Sequence, residues 1–184
     1  MTRFPFSMET PARFAGPLPA RCDTVVIGGG IAGVMTAFFL AEAGQSVVLC
    51  EKGRIGGEQS SRNWGWIRQQ GRDPSEVPIM IESLRIWQGL TKEVGADLGF
   101  RQQGVMYLAR TEADMAGYQI WLDQVAGHGL DSAMLTRAAI QGHIQGMAAP
   151  WLGGLFTPSD AWAEPWVAVP MLAEAAARRG VVIC

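Results

Sequence analysis

The feature that most constrains the fold is a glycine-rich stretch at residues 25–52, VVIGGGIAGVMTAFFLAEAGQSVVLCEK. No charged residue lies between Asp23 and Glu42, which leaves 18 consecutive uncharged residues. A run of this length is at the lower limit for a helix that spans a bilayer. It also fits a strand that turns sharply at its glycines, passes a phosphate and continues as a helix.

Three details of the run argue against a membrane helix. Its three adjacent glycines, Gly28 to Gly30, each cost roughly 1 kcal/mol relative to alanine inside a helix. The run is bounded by acidic residues and has no cluster of lysine or arginine to orient it in a membrane. It also divides into a β-branched segment, Thr24 to Ile27, and a helix-forming segment, Ile31 to Ala43, that stops at Gly44. We therefore expect a buried parallel strand followed by a helix, with no transmembrane segment.

The glycines have the G-x-G-x-x-G spacing of a dinucleotide-binding βαβ unit. In that motif Gly28 makes a tight turn, Gly30 lets the backbone approach a pyrophosphate, and Gly33 lets the helix pack closely on the strand. The helix N-terminus presents N–H groups to the phosphates. A second β-branched strand, Ser46 to Cys50, ends in Glu51. A carboxylate at about this distance from the first glycine is the usual partner of a ribose hydroxyl.

Beyond this unit the apolar pattern alternates between helices and strands. The predicted elements are a helix opened by Asp73 to Glu76, a strand over Arg101 to Ala109, a helix opened by Thr111 with Asp114 and closed by His128-Gly129, a short helix after Thr136, strand and loop over 150–164, a helix over Trp166 to Arg179, and a strand over Val181 to Cys184. Parallel sheets need both faces covered, and the last strand begins where the sequence stops. We therefore expect the chain to be the N-terminal part of a longer protein.

Composition narrows the functional classes. The net charge of −2 gives no basic surface for nucleic acid. Three separated cysteines, Cys22, Cys50 and Cys184, indicate a reducing compartment, and the first two border predicted strands and are expected to be buried. His128 and His143 lie in separate segments, so no metal site is predicted. Because the first twenty residues contain no apolar run of signal-peptide length, we expect a cytoplasmic protein.

The segment after Glu51 indicates which dinucleotide is bound. An NAD-type domain normally continues through a crossover helix, but this chain enters the loop KGRIGGEQSSRNWGWIRQQGRD, residues 52–73. Gly56-Gly57 and Ser60-Ser61 offer hydroxyls and backbone N–H groups for a second pass along a diphosphate and ribityl chain. Trp64 and Trp66 suit a flat aromatic ring.

At these residues the chain resembles the flavoprotein family of D-amino acid oxidase, glycine oxidase and sarcosine oxidase. The likeness covers most of residues 22–184 and is most specific up to about residue 70. The features that carry it are Val25 to Gly33, Glu51-Lys52-Gly53, Gly56-Gly57, Ser60-Ser61 and Gly65, with looser matches at Gly104 to Leu108 and from Glu164-Pro165 onward.

The resemblance implies an α/β fold in which a Rossmann-like FAD-binding βαβ unit is joined to part of a mixed α+β substrate domain, in a chain that is truncated. The implied domains are an extended N-terminal arm (1–21), the FAD-binding unit with its flavin loop (22–72), a partial substrate or cap domain (73–165), and a helix and strand that return to the FAD-binding domain (166–184).

FAD is the implied cofactor. Its implied ligands are Gly28, Gly30, Ile31, Ala32 and Gly33 at the pyrophosphate, Glu51 with Lys52 beside it at the adenosine ribose, Gln59, Ser60 and Ser61 along the remaining diphosphate and ribityl path, and Trp64, Gly65 and Trp66 near the isoalloxazine. The chain departs from the family at Arg62-Asn63, where glycine oxidase-like sequences have small residues. These larger polar groups are placed to touch the flavin edge or narrow the site, which leaves the substrate class open.

The implied chemistry is oxidation of the C–N bond of an amino acid or secondary amine, with hydride transfer from carbon to flavin N5. A carboxylate substrate favours an arginine that donates two parallel hydrogen bonds. Arg68 is the first candidate for this role and Arg62 the second, and the alternative is that Arg68 is a solvated loop residue.

Two other functions stay open. The chain is a non-catalytic FAD-binding fragment or subunit if it needs a missing C-terminal half or a partner subunit, and the absence of a third strand after Glu51 favours this alternative. An NAD-dependent dehydrogenase, in contrast, predicts a crossover helix where Ser60 to Asn63 stand. On either flavin hypothesis, we expect these 184 residues to be inactive alone.

Overall fold

The computed structural model describes residues 11–146 and 149–184. The first ten residues of the predicted N-terminal arm therefore lie outside the described residues. The chain divides into two compact units. The first unit comprises residues up to Gly65 together with Leu90–Gly99 and Ala163–Cys184, and the second comprises Trp66–Gly89 and Phe100–Trp162.

Strands and helices alternate through the described ranges. The strands are β1 (Thr24–Ile27), β2 (Val47–Cys50), β3 (Trp66–Ile67), β4 (Val105–Ala109), β5 (Ala133–Thr136), β6 (Gly153–Thr157), β7 (Ala161–Trp162) and β8 (Val182–Ile183). The helices are α1 (Ile31–Glu42), α2 (Val77–Val94), α3 (Glu112–Val125), α4 (Arg137–His143) and α5 (Pro165–Arg178), and short 3-10 turns form at Gln59–Ser61, Pro74–Glu76 and Ala126–His128.

The first unit is built on a parallel sheet with the strand order β1-β2-β8. The central strand β2 is buried at residues 47–49, as expected for a parallel strand covered on both faces. α1 packs against β2 and α5, and it buries Val34, Ala37 and Phe38. This packing fixes the start of α1 next to the carboxyl ends of β1 and β2.

The second unit is built on an antiparallel sheet with the strand order β4-β6-β5, and β3 pairs with β7 in a separate antiparallel ladder. α3 packs on this sheet. It begins with a capping box, in which Thr111 Oγ1 accepts from the N–H of Asp114 (3.1 Å) and the Asp114 carboxylate accepts from the N–H of Thr111 (2.9 Å). These reciprocal bonds satisfy two groups that a helix start otherwise leaves unpaired.

The predicted α/β fold is confirmed. Strand, glycine turn, helix and second strand follow one another in the first unit as the sequence predicted. Thr111 opens α3 as predicted, and the short helix predicted after Thr136 is present as α4, with Thr136 as its N-cap. None of the helices in the described ranges combines the length and apolar character that a bilayer-spanning segment requires.

The expectation that β1 is a buried strand is wrong for half of its residues. Val25 is 57% exposed and Ile27 is 88% exposed, because β1 lies at the edge of the described sheet and pairs only with β2. Cys22 and Cys50 were expected to be buried thiols. Both are free, but each is only half-buried.

Other elements also differ from the sequence prediction. The strand predicted over Val181 to Cys184 is present as β8, and it pairs with β2 as a third strand of the parallel sheet, although no third strand follows β2 directly. The strand predicted from Arg101 begins only at Val105, because Gly104 has a left-handed backbone (φ +81°) that interrupts an extended run. β3 lies inside the segment predicted as a loop, and β5 was not predicted.

Candidate functional site

The glycine turn of the first unit has the geometry that the motif requires. Gly28 adopts a left-handed backbone (φ +105°), and its N–H donates to the carbonyl of Cys50 on the neighbouring strand (2.8 Å). A Cβ atom added at Gly33 would lie 1.9 Å from the carbonyl oxygen of Gly28. Only glycine at that position lets α1 start this close to the turn.

The N-terminus of α1 faces the loop that follows β2. The N-cap, Gly30, supplies no side-chain hydrogen bond, so the first-turn N–H groups need partners from elsewhere. Ser60 Oγ accepts from the N–H of Ile31 (2.8 Å), and the N–H of Gly56 donates to the carbonyl of Gly29 (2.8 Å). Two chain segments distant in sequence therefore meet at the helix end. The remaining N–H groups of this turn, at Ala32 and Gly33, suit an anion.

Glu51 connects this turn to the start of the following loop. Its Oε2 accepts from the N–H of Gly29 (2.7 Å) and its Oε1 from the N–H of Gly53 (2.7 Å). A carboxylate oxygen can accept more than one hydrogen bond, so both oxygens can still bind ribose hydroxyls. Lys52 is exposed beside it. A cavity of about 230 Å³ is lined by Glu51 together with Ile55 and Ile183.

Replacement of Glu51 by alanine should weaken FAD binding about ten- to hundredfold, because a hydrogen bond to a charged group contributes roughly 1.5–3 kcal/mol. The measurement is quenching of flavin fluorescence on binding. Glu58→Ala is the matched control, because Glu58 is an exposed carboxylate of the same loop. FMN, which lacks the adenosine ribose, separates two effects: equal weakening of FMN would show that Glu51 acts through the turn and not on the ribose. An unchanged affinity for FAD would refute the role altogether.

Asn63, one of the two residues at which the chain departs from the family, forms hydrogen bonds within its own loop. Asn63 Nδ2 donates to the carbonyls of Gln59 and Ser60 (both 3.0 Å), and Asn63 Oδ1 accepts from the N–H of Gly65 (2.7 Å). Ser61 is buried, and its hydroxyl donates to the carbonyl of Glu58 (3.2 Å). In this structure, therefore, Asn63 and Ser61 hydrogen-bond to the backbone of their own loop.

Arg62 and Trp64 lie on the surface of the first unit. Arg62 forms an exposed ion pair with Glu58 (3.3 Å), an interaction that contributes little in solvent. Trp64 is 81% exposed, a large apolar surface for one side chain. An exposed aromatic ring of this size is suited to stacking on a planar ligand or to contact with another polypeptide.

Arg68, the first candidate for binding a carboxylate, has a very different environment from Arg62. In the second unit, the Arg68 guanidinium lies 5.8 Å from the ring centre of Trp66 and 5.9 Å from that of Tyr107. Its Nη1 donates to the carbonyl of Gln70, the only hydrogen bond of this side chain within the described residues. Arg68 is half-buried, which favours a ligand-binding role over the alternative of a solvated loop residue. The guanidinium is held in place and keeps N–H donors for a ligand.

Tyr107 was not identified from the sequence as a site residue. It lies on β4, which was predicted, but its contact with Trp66 (6.3 Å between ring centres) depends on the fold of residues that are about forty positions apart. The available signal was the strand pattern around it, which does not by itself distinguish a core tyrosine from a site tyrosine.

Asp160, also unforeseen from the sequence, fixes the segment that carries Arg68. It is fully buried between β6 and β7. Its Oδ1 accepts from the N–H of Gln69 (2.7 Å) and its Oδ2 from the N–H of Gln70 (3.1 Å). Gln70, equally buried, accepts through Oε1 from the hydroxyl of Thr157 (2.8 Å). The backbone immediately after Arg68 is therefore tied to a buried polar cluster.

Asp160→Ala should lower the free energy of unfolding by about 2–5 kcal/mol, because two buried N–H groups lose their acceptor and each costs roughly 1–3 kcal/mol. Urea unfolding measures this change. Asp131→Ala is the matched control: Asp131 also accepts two hydrogen bonds, both from Ser159, but it is exposed. Equal effects of the two substitutions would contradict the structural role of Asp160.

The pH dependence of this variant gives a second test. Burial raises the pKa of Asp160 above the ordinary value of 3.8, and the hydrogen bonds from Gln69 and Gln70 oppose this rise only in part. A carboxyl group whose pKa is raised by folding adds stability below the pKa of the unfolded chain and loses it as pH rises through the folded pKa. Wild type should therefore gain stability relative to Asp160→Ala as the pH falls from above the folded-state pKa of Asp160 to below 3.8. A constant difference would contradict the raised pKa.

Comparison with known proteins identifies the family. Residues 23–184 match the DAO family, described as FAD dependent oxidoreductase. The chain belongs to this family. It is 32% identical over 121 residues to sarcosine oxidase subunit beta of Rhizobium meliloti (strain 1021), an alignment that covers 65% of this chain and 29% of that subunit. The chain spans less than a third of the length of the first curated relatives it matches.

Solved structures show the same fold. L-amino acid deaminase from Proteus myxofaciens superposes with a TM-score of 0.87 at 31% identity, covering 94% of this chain and 41% of that enzyme. Glycine oxidase from Geobacillus kaustophilus superposes with a TM-score of 0.81 at 26% identity, covering 89% of this chain and 46% of that enzyme. The predicted family and its cofactor, FAD, are confirmed.

The residues of the first unit fit FAD. Gly33 leaves the space that lets α1 begin against the turn, the first turn of α1 has N–H groups for a diphosphate, and the Glu51 carboxylate lies beside a cavity. Ser60 adds a hydroxyl at the same helix end. FAD is the cofactor of this family, and its pyrophosphate and adenosine would suit these groups.

Proposed function

We propose that the protein oxidises the C–N bond of an amino acid or secondary amine, and that Arg68 binds the substrate carboxylate. FAD supplies the chemistry when bound, because its N5 atom accepts a hydride. The protein's task is then to bind the substrate in one orientation. The observation that carries the proposal is the guanidinium of Arg68, half-buried against two aromatic rings.

The environment of Arg68 favours a carboxylate ligand. The rings of Trp66 and Tyr107 hold the guanidinium plane by cation–π attraction, and the carbonyl of Gln70 takes one of its donors. A planar fork that is already held in place loses less conformational freedom on binding a carboxylate than a mobile side chain does. The names of the relatives agree with such a substrate, because sarcosine, glycine and L-amino acids all carry a carboxylate.

The pyrophosphate and ribose ligands proposed from the sequence are retained as part of this function. We assign the pyrophosphate to the first turn of α1 and to Ser60, the adenosine ribose to Glu51, and the flavin end to the aromatic residues Trp64 and Trp66. The contacts at Ile31 and Gly29 support the first two assignments. The third assignment is carried over from the sequence, and the exposure of Trp64 on the first unit is compatible with it.

A second candidate is a cofactor-binding polypeptide that turns over substrate only with more polypeptide, either in the same chain or in a partner subunit. It is favoured by the 29% coverage of sarcosine oxidase subunit beta, whose name marks it as one subunit of an assembly. On this proposal the 184 residues bind FAD but do not oxidise an amine alone.

Anaerobic reduction of bound flavin tests both candidates. The FAD-loaded protein is mixed with amino acids, N-methyl amino acids and simple amines, and the absorbance of oxidised flavin is followed. We expect bleaching by substrates that carry a carboxylate and weaker or no bleaching by simple amines. If FAD binds but no compound bleaches it, the second candidate is favoured. Bleaching by simple amines alone would refute the role of a carboxylate.

A further inference from the structure

We propose that the N-terminal arm closes the adenosine end of the FAD site. In the described part of the arm, Pro11, Ala12, Arg13 and Phe14 form one wall of the cavity of about 230 Å³ beside Glu51. The inference rests on the FAD site described above, but it assigns a binding role to residues outside the βαβ unit. Adenosine is the proposed occupant, because the cavity adjoins the proposed ribose ligand.

The cavity is small, and aromatic side chains form part of its lining. Phe14 contributes from the arm, and Trp166 contributes from the first turn of α5. Its volume is below the roughly 300–1,000 Å³ of sites that hold a whole drug-sized ligand, so it suits one end of a dinucleotide. Aromatic side chains bind nucleobases by stacking on their flat faces. The two aromatic rings therefore suit a purine base, while Arg13 and Arg54 add positive charge to the same lining.

The arm is attached to the first unit beside this cavity. Arg13 forms an ion pair with Glu174 on α5, and the arm passes the end of β8, where a Cβ atom added at Gly16 would lie 3.7 Å from the carbonyl oxygen of Ile183. β8 and α5 both belong to the first unit. These attachments keep Phe14 at the cavity, although residues 11–21 of the arm form neither a strand nor a helix.

Binding of three ligands distinguishes a direct contact between Phe14 and adenosine from a general effect of the substitution on the first unit. FAD and ADP both contain the adenosine diphosphate group, and FMN lacks the adenosine. Phe14→Ala should weaken binding of FAD and ADP about five- to hundredfold, the range that loss of one base-stacking side chain produces, and should leave FMN binding unchanged. Leu18→Ala is the control, because Leu18 lies on the same arm, is 68% exposed and does not line the cavity.

A charge exchange tests the attachment of the arm. Arg13→Glu places two acidic groups together and should weaken FAD binding, although by less than Phe14→Ala because Arg13 is largely exposed to solvent. The double variant Arg13→Glu with Glu174→Arg restores the pair and should recover the affinity. Thermal unfolding of each apoprotein shows whether the first unit remains folded.

The experiment is equilibrium titration of the purified protein with FAD, ADP and FMN. Loss of FAD and ADP affinity in Phe14→Ala, with FMN affinity and the Leu18→Ala control unchanged, supports the proposal. Wild-type affinities in Phe14→Ala, or an equal loss for FMN, would overturn it while leaving the FAD site intact. If the wild type binds neither FAD nor ADP, both the site and this inference are wrong.

Discussion

Replacement of Gly33 by alanine should abolish measurable FAD binding and lower the free energy of unfolding. The added Cβ would lie 1.9 Å from the carbonyl oxygen of Gly28 and 3.4 Å from a methyl carbon of Val26. The oxygen is a backbone atom of the turn that forms the proposed site, so α1 has to shift away from it. Overpacking commonly costs about 1–3 kcal/mol and occasionally more, and we expect about 3 kcal/mol here.

Two other helical glycines provide a matched control for this change. Gly89 in α2 and Gly117 in α3 have no atom within 4 Å of an added Cβ. Alanine at either position should raise the free energy of unfolding by about 0.5–1 kcal/mol, because alanine favours a helix more than glycine does. Neither change should alter FAD affinity. If Gly33→Ala behaved like these two variants, α1 would not need its close approach to the turn.

Replacement of Arg68 should reduce flavin reduction by amino acids and spare simple amines. Arg68→Ala removes the charge, and Arg68→Lys keeps the charge but loses the planar pair of donors that a carboxylate matches. Hydrogen bonds to charged groups contribute roughly 1.5–3 kcal/mol, so we expect a loss of about ten- to hundredfold in kcat/KM for both variants. The measurement is anaerobic flavin reduction with amino acids and amines as separate substrates.

Arg110→Lys is the control for Arg68. The guanidinium of Arg110 also lies over an aromatic ring of the second unit, 4.6 Å from the centre of Trp151, but Arg110 is exposed and follows β4. Its replacement should leave the rate unchanged. If the Arg68 variants and the control reduced flavin at equal rates on amino acids, another arginine would have to bind the carboxylate, and Arg62 would be the next to test.

The predictable part of the fold rests on local patterns. β1, the glycine turn, α1 and β2 occupy one continuous stretch, and each is determined by spacing within that stretch. The capping box of Thr111 and Asp114 is equally local. The sequence therefore predicts the glycine turn and the start of α1 well, because both are formed by neighbours in the chain.

The elements that were missed depend on partners distant in the chain. β3 has only two residues and pairs with β7, which lies almost a hundred residues later. β5 has four residues and is stabilised by pairing with β6. The carboxylate of Asp160 accepts hydrogen bonds from N–H groups about ninety residues earlier in the chain. No periodicity marks such pairs, so the environment of Arg68 was visible only in the structure.

The most direct test of the account is equilibrium titration of the purified protein with FAD and, separately, with NADH. The glycine turn, the loop at Ser60 and the absence of a crossover helix directly after β2 favour the flavin dinucleotide. We predict saturable binding of one FAD per chain and no competition by NADH. Preferential binding of NADH, or no binding of FAD, would contradict the assignment of the first unit as an FAD site.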